Sequence, residues 1–288
     1  MSHTATTTIS RYFTKSRGKA LSTGWFGLST AEFILPVLMI YLLANTNWKN
    51  IWISTSLIII IFLPLLTYFL VKNLNFDSRE NSDDREFNED KIKHWKRLEV
   101  IKDYRFYIVC ANMLAMPSIA TGTFVYQSFI LSSKNWGPYV IAQSFMAYSI
   151  LSVITLFFSG FLIDKFTSRK LLVYMNIPLL LAVLILILFD SHISSFFFLG
   201  LIGITNGLCN VLGSSTWAEI YGVRYIGSIK ALTTALMVFA TAFGTALFGI
   251  LIDAGFSIEK ISMFSGIYIF ISIFSLFLIR KRINPVII

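Results

Sequence analysis

Residues 72–105 read KNLNFDSRENSDDREFNEDKIKHWKRLEVIKDYR, and they form the long polar segment of a chain that is 56% hydrophobic. This segment holds nine Lys or Arg and nine Asp or Glu residues. Apolar stretches long enough to cross a bilayer as helices lie on both sides of it. Eight spans are predicted, two before the segment and six after it: 21–44, 51–71, 106–131, 139–163, 171–189, 194–218, 229–252 and 261–279. The sequence therefore predicts an all-α polytopic membrane protein.

The basic residues fall almost entirely on one side of the predicted spans. That side receives 21 Lys or Arg residues, and the other side receives three: Lys49, Lys134 and Lys260. Because basic loops stay in the cytoplasm, we expect both termini and residues 72–105 there, in a bacterial inner (plasma) membrane. The net charge of +9 then reflects topology and contact with anionic lipid of the bilayer, and no nucleic acid partner is expected.

The polar segment divides into two parts. Residues 77–90 are acidic and are expected to be solvated. Residues 91–105 are more basic and carry Ile92, Trp95, Leu98 and Ile101 near helical spacing. This spacing predicts an amphipathic helix that lies on the inner leaflet and leads into the third span.

No catalytic or metal-binding pattern is present in the sequence. Cys110 and Cys209 lie inside spans without disulfide or metal spacing. The three histidines lie at the chain end or in predicted loops, and no nucleophile constellation or phosphate loop accompanies them. The sequence predicts neither an enzyme nor a cofactor.

Glu32 is the acidic residue placed deepest in a predicted span. Charge at that depth is costly, so its carboxyl group is expected in a bundle interior or a wet cavity. Pro36, four residues later, cannot donate a hydrogen bond to the carbonyl of Glu32. Two interpretations stay open: Glu32 carries protons or orients a solute, or it is a protonated side chain that joins two helices.

Polar side chains also form stripes at helical spacing in several spans. Ser144, Tyr148 and Ser152 share one face, and Gly203 and Gly207 form a small-residue packing motif. Such stripes either line a pathway or join helices by hydrogen bonds. The candidates for a substrate or proton pathway are Glu32, Asn112, Tyr126, Gln127, Gln143, Tyr148, Asn206 and Asn210.

The turn after the fourth span, residues 160–170, reads GFLIDKFTSRK. It resembles the G-x-L-x-D-(R/K)-x-G-(R/K)-(R/K) loop of major facilitator superfamily (MFS) transporters, with Thr167 at the position of the loop glycine. The resemblance implies that a conformational latch is formed by Gly160, Asp164, Lys165, Arg169 and Lys170. Residues 11–21, 98–109 and 244–255 resemble other parts of the same family. Within the family, the sequence resembles the monocarboxylate and oxalate/formate branch most. No basic residue is expected deep in the fourth or seventh span, so the resemblance does not carry over an anion-binding site.

The resemblance also implies a division of the chain. The family fold has two six-helix halves, so residues 1–71 would be a remnant of the first half and 72–105 the central cytoplasmic linker. Residues 106–282 would be the complete second half and 283–288 a cytoplasmic tail. An N-terminally truncated protein is expected, one that lacks about three and a half helices.

The implied function is secondary active transport of a small solute by alternating access. An organic anion, or a substrate coupled to protons, would be the cargo. The alternative is a non-transporting membrane scaffold or a degenerate transporter fragment.

Overall fold

The computed structural model describes residues 17–72 and 93–284, and within these ranges the regular structure is helical. In chain order the helices are α1 (Arg17–Asn45), α2 (Trp48–Val71), α3 (Arg97–Lys102), α4 (Tyr104–Val125), α5 (Gln127–Lys134), α6 (Pro138–Phe166), α7 (Ser168–Leu171), α8 (Ile177–Leu188), α9 (His192–Tyr221), α10 (Ile226–Asp253) and α11 (Ile258–Ile279). A 3₁₀ turn, Leu172–Tyr174, separates α7 from α8. The predicted all-helical fold is confirmed.

In the described part of the chain, seven helical stretches are long and apolar enough to cross a membrane, judged by length and composition. They are Trp48–Phe69, Tyr104–Val125, Tyr139–Ile163, Ser168–Leu188, His192–Tyr221, Ile226–Asp253 and Ile258–Ile279. Each matches one predicted span after the first. Predicted span 21–44 lies in α1, whose described apolar stretch, Phe33–Asn45, is shorter than a span. The eighth crossing stays a prediction.

Large apolar side chains cover the outside of the helices. Trp52, Phe158, Phe239 and Leu278, on four different helices, are between 62% and 69% exposed. In water such a surface would be strongly unfavourable, because each exposed apolar side chain forgoes about 1.5–3 kcal/mol of burial. A lipid bilayer removes this cost, so the exposed belt agrees with the membrane location.

Helices α6 and α9 pack closely because α9 places glycines at the contact. A Cβ atom on Gly203 would overlap the carbonyl oxygen of Tyr148, and one on Gly207 would lie 2.6 Å from that of Ser152. The predicted small-residue motif at 203 and 207 is therefore a close helix contact. Hydrogen bonds join the same two helices, with Ser144 Oγ 2.7 Å from Ser195 Oγ.

Helices α4 and α10 approach each other in the same way. A Cβ atom on Gly244 would lie 2.5 Å from the carbonyl oxygen of Ser118, and one on Gly122 would lie 2.8 Å from the ring of Phe248. Helix α11 joins this pair, since Tyr268 Oη donates to the carbonyl of Ala111 at 2.7 Å. These close contacts set the register among the helices that surround the cavity.

The segment before α4 differs from the predicted amphipathic helix. Only Arg97–Lys102 are helical, because Asp103 caps α4 through the N–H of Arg105 and ends α3 after six residues. Leu98 is 74% exposed, whereas Val100 is fully buried. Trp95 packs edge-on against Tyr221 at 5.5 Å and donates its backbone N–H to the carbonyl of that residue. The described residues just before α4 therefore pack against the helical bundle.

Candidate functional site

A cavity of about 350 Å³ lies between α4, α9 and α10, with Tyr148 of α6 on its wall. Its polar lining comes from several helices and consists of Thr121, Tyr148, Asn206, Asn210, Lys230, Thr233 and Thr234. The rest of the wall is apolar. Among the described residues that line the cavity there is no acidic side chain. The basic side chain in the described lining is Lys230.

Three of the predicted pathway residues, Tyr148, Asn206 and Asn210, line this cavity. Tyr148 is held edge-on against the ring of Phe124, at a centroid distance of 5.6 Å. Asn206 Nδ2 donates to Ser152 Oγ at 3.1 Å, so this amide also joins α9 to α6. The polar stripes thus contribute both to the cavity wall and to helix contacts.

Four other predicted residues lie elsewhere. Asn112 is fully buried beside α8, and its carbonyl accepts a hydrogen bond from Asn176 Nδ2 at 2.6 Å. The hydroxyl of Tyr126 lies against Gly249, next to Gln127 at the break between α4 and α5. Gln143 is exposed on the surface of α6. None of these four side chains lines the described cavity.

The eighth predicted residue, Glu32, lies in α1 four residues before Pro36, which is inside the same helix. The structure does not describe the Glu32 side chain. Its location in a bundle interior or a wet cavity therefore stays a prediction.

Lys230 is the residue that the sequence analysis missed. It was counted there as a loop charge, but it lies in the second turn of α10 and is 9% exposed. Lys230 lies at the beginning of the predicted seventh span, so the expectation that no basic residue lies deep in that span is not contradicted. The available signal was its position one residue inside the predicted span 229–252.

The predicted latch loop follows α6. Gly160 is buried on that helix, Lys165 and Lys170 are exposed, and Asp164 lies in α6 with its side chain outside the described part. Arg169 is half-buried, and its guanidinium Nε lies 3.3 Å from Glu219 Oε2. The loop is thus connected to α9 through one ion pair.

Glu219 of α9 accepts the hydrogen bonds of this loop, and no pattern in the sequence indicated it. Its carboxylate accepts the backbone N–H groups of Ser168 at 2.9 Å and of Arg169 at 3.3 Å. Backbone N–H groups at a helix start have no partner within their own helix, and here the carboxylate of another helix accepts their hydrogen bonds.

A second ionic cluster lies at the same end of the bundle, which we call the latch end. Arg105 forms a nearly buried ion pair with Asp103 at 2.8 Å, and Tyr221 Oη donates to the same carboxylate at 3.1 Å. Arg105 Nη1 donates to the carbonyls of Arg282 and Asn284. Asn284 Oδ1 in turn accepts from Arg169 Nη1 at 2.9 Å. The two clusters form one connected network.

The opposite end of the bundle is held by Lys134. Its side chain is 1% exposed and pairs with Asp190 and with Glu259, the latter at 2.9 Å. Burial by itself lowers the pKa of the Lys134 amine, but its hydrogen bonds to Asp190 and Glu259 outweigh this and hold the pKa above its ordinary value. Trp136 Nε1 donates to the carbonyl of Asp190 at 2.7 Å. The two ion pairs of Lys134 therefore join α5 to α11 and to the residues just before α9.

Comparison with family models matches residues 108–286 to the Major Facilitator Superfamily. The match covers more than half of the chain and includes every described residue that lines the cavity. A search of curated proteins found no match. The chain belongs to the Major Facilitator Superfamily, whose members are membrane-embedded transporters of small molecules.

Proposed function

We propose that the cavity binds the solute of a secondary transporter that works by alternating access. Its volume of about 350 Å³ falls in the range of roughly 300–1,000 Å³ that small-molecule sites occupy. Polar groups from four helices converge on it, and the remainder of the wall is apolar. Such a composition orients a small ligand by a few polar contacts and holds its body by apolar ones.

We further propose that the solute is a small organic anion with an apolar body. The observation that carries this proposal is Lys230, a nearly buried basic residue of α10 that lines the cavity together with neutral polar and apolar side chains. Phe124 and Trp217 supply apolar surface to the same cavity. The likeness to the monocarboxylate and oxalate/formate branch points the same way and stays a proposal.

Uptake of labelled organic anions into proteoliposomes tests the role of Lys230. Replacing Lys230 by Gln should raise KM roughly 10- to 100-fold, because a hydrogen bond to a charged group contributes about 1.5–3 kcal/mol. Lys230→Arg should retain most of the uptake. Lys102→Gln, which removes an exposed lysine of α3 away from the cavity, serves as the matched control.

Two outcomes contradict the proposal in different ways. Equal KM values for the Lys230→Gln variant and the unmodified protein would exclude this lysine from solute binding. Absence of uptake for every solute tried would favour the alternative, a non-transporting membrane scaffold or a degenerate fragment.

Proton coupling through Glu32 is a separate proposal. The supporting features are the cost of a carboxylate in the middle of a membrane helix and Pro36, which leaves the carbonyl of Glu32 without its helical donor. If Glu32 carries the proton, the Glu32→Gln variant should take up solute at a rate that no longer responds to an imposed pH gradient. A gradient response that survives this replacement would remove Glu32 from the coupling mechanism.

A further inference from the structure

Residues 93–96, which we call the strap, lie against the end of α9 just before α3 begins. The backbone N–H of Trp95 donates to the carbonyl of Tyr221 at 3.0 Å. Tyr221 is the last residue of α9, and the last carbonyls of a helix have no donor within their own helix. The strap therefore supplies a hydrogen bond to the exposed end of the α9 backbone.

A glycine at the end of α9 lets the strap approach closely. Gly222 has φ 80°, a value that glycine adopts without strain. A Cβ atom at this position would overlap Nδ1 of His94. Any larger residue at 222 would therefore displace His94, so the strap and the helix end fit each other at this point.

The indole ring of Trp95 contacts two helices that line the cavity. It packs edge-on against Tyr221 of α9, at a centroid distance of 5.5 Å. The guanidinium carbon of Arg105, in α4, lies 5.4 Å from the centre of the same ring. Lys93 Nζ, within the strap, lies 4.4 Å from that centre. Because cation–π and edge-on contacts depend on close geometry, a shift of α9 relative to α4 would break one of them.

A series of ring contacts leads from the strap to the cavity wall. Tyr221 stacks on Trp217, with centroids 6.0 Å apart and ring planes 14° apart. Trp217 lines the cavity and also packs against Phe106 of α4 at 5.4 Å. Trp217 and Tyr221 are 2% and 1% exposed, so neighbouring atoms surround both rings. Close-packed interiors transmit displacements between side chains, and the position of Trp217 therefore depends on that of Trp95.

We propose that the strap controls access to the cavity from outside it. The seated strap holds Tyr221 and Trp217 in place, and release of the strap lets the cavity wall open. A coupling between two sites is reciprocal, so widening the cavity also releases the strap. The consequence for transport rests on the proposed function, since the strap would then regulate how the solute enters and leaves. The coupling itself concerns the cavity wall alone, so it can fail while anion uptake succeeds, and the reverse.

The rate at which N-ethylmaleimide modifies Cys209 in the detergent-solubilised protein measures access to the cavity, because this residue lines it. Peptide mass spectrometry assigns the adduct. Trp95→Ala removes the ring contacts to Tyr221 and Arg105 and should speed the modification roughly 2- to 30-fold. Trp95→Phe keeps a ring at this position and should stay close to the original rate. Leu98→Ala, at a side chain that is 74% exposed, is the matched control.

A second measurement uses the original sequence and is independent of variant folding. Amide hydrogen exchange of residues 93–96 is followed before and after N-ethylmaleimide attaches to Cys209. The adduct adds volume inside the cavity, so the amide of Trp95 should exchange at least about 2-fold faster after the modification.

Three results would overturn the proposal. One is an equal rate of Cys209 modification in Trp95→Ala and in the original protein. Another is an increase of the same size in Leu98→Ala, because the effect would then not depend on the ring contacts. The third is an exchange rate of the Trp95 amide that does not respond to the adduct.

Discussion

Thr167 occupies the turn between α6 and α7 with φ 68° and ψ 144°. This region of backbone space is open to glycine and disfavoured for other residues, most of all β-branched ones. The loop that this turn resembles has glycine at this position, and glycine adopts a positive φ without strain. Strain of this kind costs about 1–3 kcal/mol and persists only where the surroundings enforce it. The bonds of Ser168 and Arg169 to Glu219 provide that enforcement.

Replacing Thr167 by Gly should therefore stabilise the protein. We expect a gain of about 1 kcal/mol, since the relieved strain exceeds the added entropy of a glycine in the unfolded chain. Thermal unfolding in detergent, followed by circular dichroism, measures the change. In the helical interior of α10, Thr245→Gly should instead cost about 0.3 kcal/mol or more, because glycine has the lower helix propensity. A melting temperature that falls in the Thr167→Gly variant would show that the turn is not strained.

Helix α9 is the element that holds the bundle together at its centre. One face carries the glycines that approach α6, and the side chains of Asn206, Asn210 and Trp217 line the cavity. Without a hydrophobic driving force between helices in lipid, close packing and hydrogen bonds must supply the association energy. The small face of α9 therefore determines both stability and the shape of the cavity.

Two alanine substitutions on α9 separate packing from helix propensity. Gly203→Ala should destabilise the protein by at least about 1–3 kcal/mol, because the new Cβ overlaps the carbonyl of Tyr148. Gly213→Ala meets no atom within 4 Å and should be neutral or up to about 1 kcal/mol stabilising. Unfolding temperatures of the two variants in the same detergent test this difference. Similar shifts for both would mean that α6 and α9 do not touch at Gly203.

At the scale of the whole molecule, the latch end joins parts of the chain that are far apart in sequence. Arg105, near the start of α4, contacts Asp103 between α3 and α4 and the backbone after α11. Arg169 continues the network to α9 through Glu219. A network of this reach connects α4, α9 and the backbone after α11, so we expect the described latch end to behave as one rigid unit.

The Asp103 and Arg105 pair should be worth more than an exposed ion pair. Its side chains are 5% and 11% exposed, so Arg105→Gln leaves a nearly buried carboxylate unpaired, at a cost of about 3–5 kcal/mol. The Asp103→Asn/Arg105→Gln double variant should recover part of that loss. Lys93→Gln, which breaks the exposed pair with Glu99, should cost less than about 1 kcal/mol.

A double-mutant cycle from thermal unfolding measures this coupling. Additive losses for Asp103→Asn and Arg105→Gln would show that the two charges act independently. Such a result would remove the ionic link between the linker end and the rest of the latch end.

Several features of this protein follow from the sequence alone. A long apolar stretch in lipid must satisfy its own backbone hydrogen bonds, so composition predicts membrane helices with little ambiguity. The loop at 160–170 predicts the family, which the comparison confirms over residues 108–286. The cytoplasmic placement of the termini and the branch within the family stay predictions.

Only the tertiary structure decided which side chains meet. In a membrane helix the lipid face and the packed face are both apolar, so periodicity does not reveal which residues point inward. Asn112 and Gln143 look alike in sequence, yet one is buried beside α8 and the other is exposed. The positions of Lys230 and Glu219 follow from helix register, which the glycine contacts at 203, 207 and 244 set. That register is a property of paired helices, and no single segment encodes it.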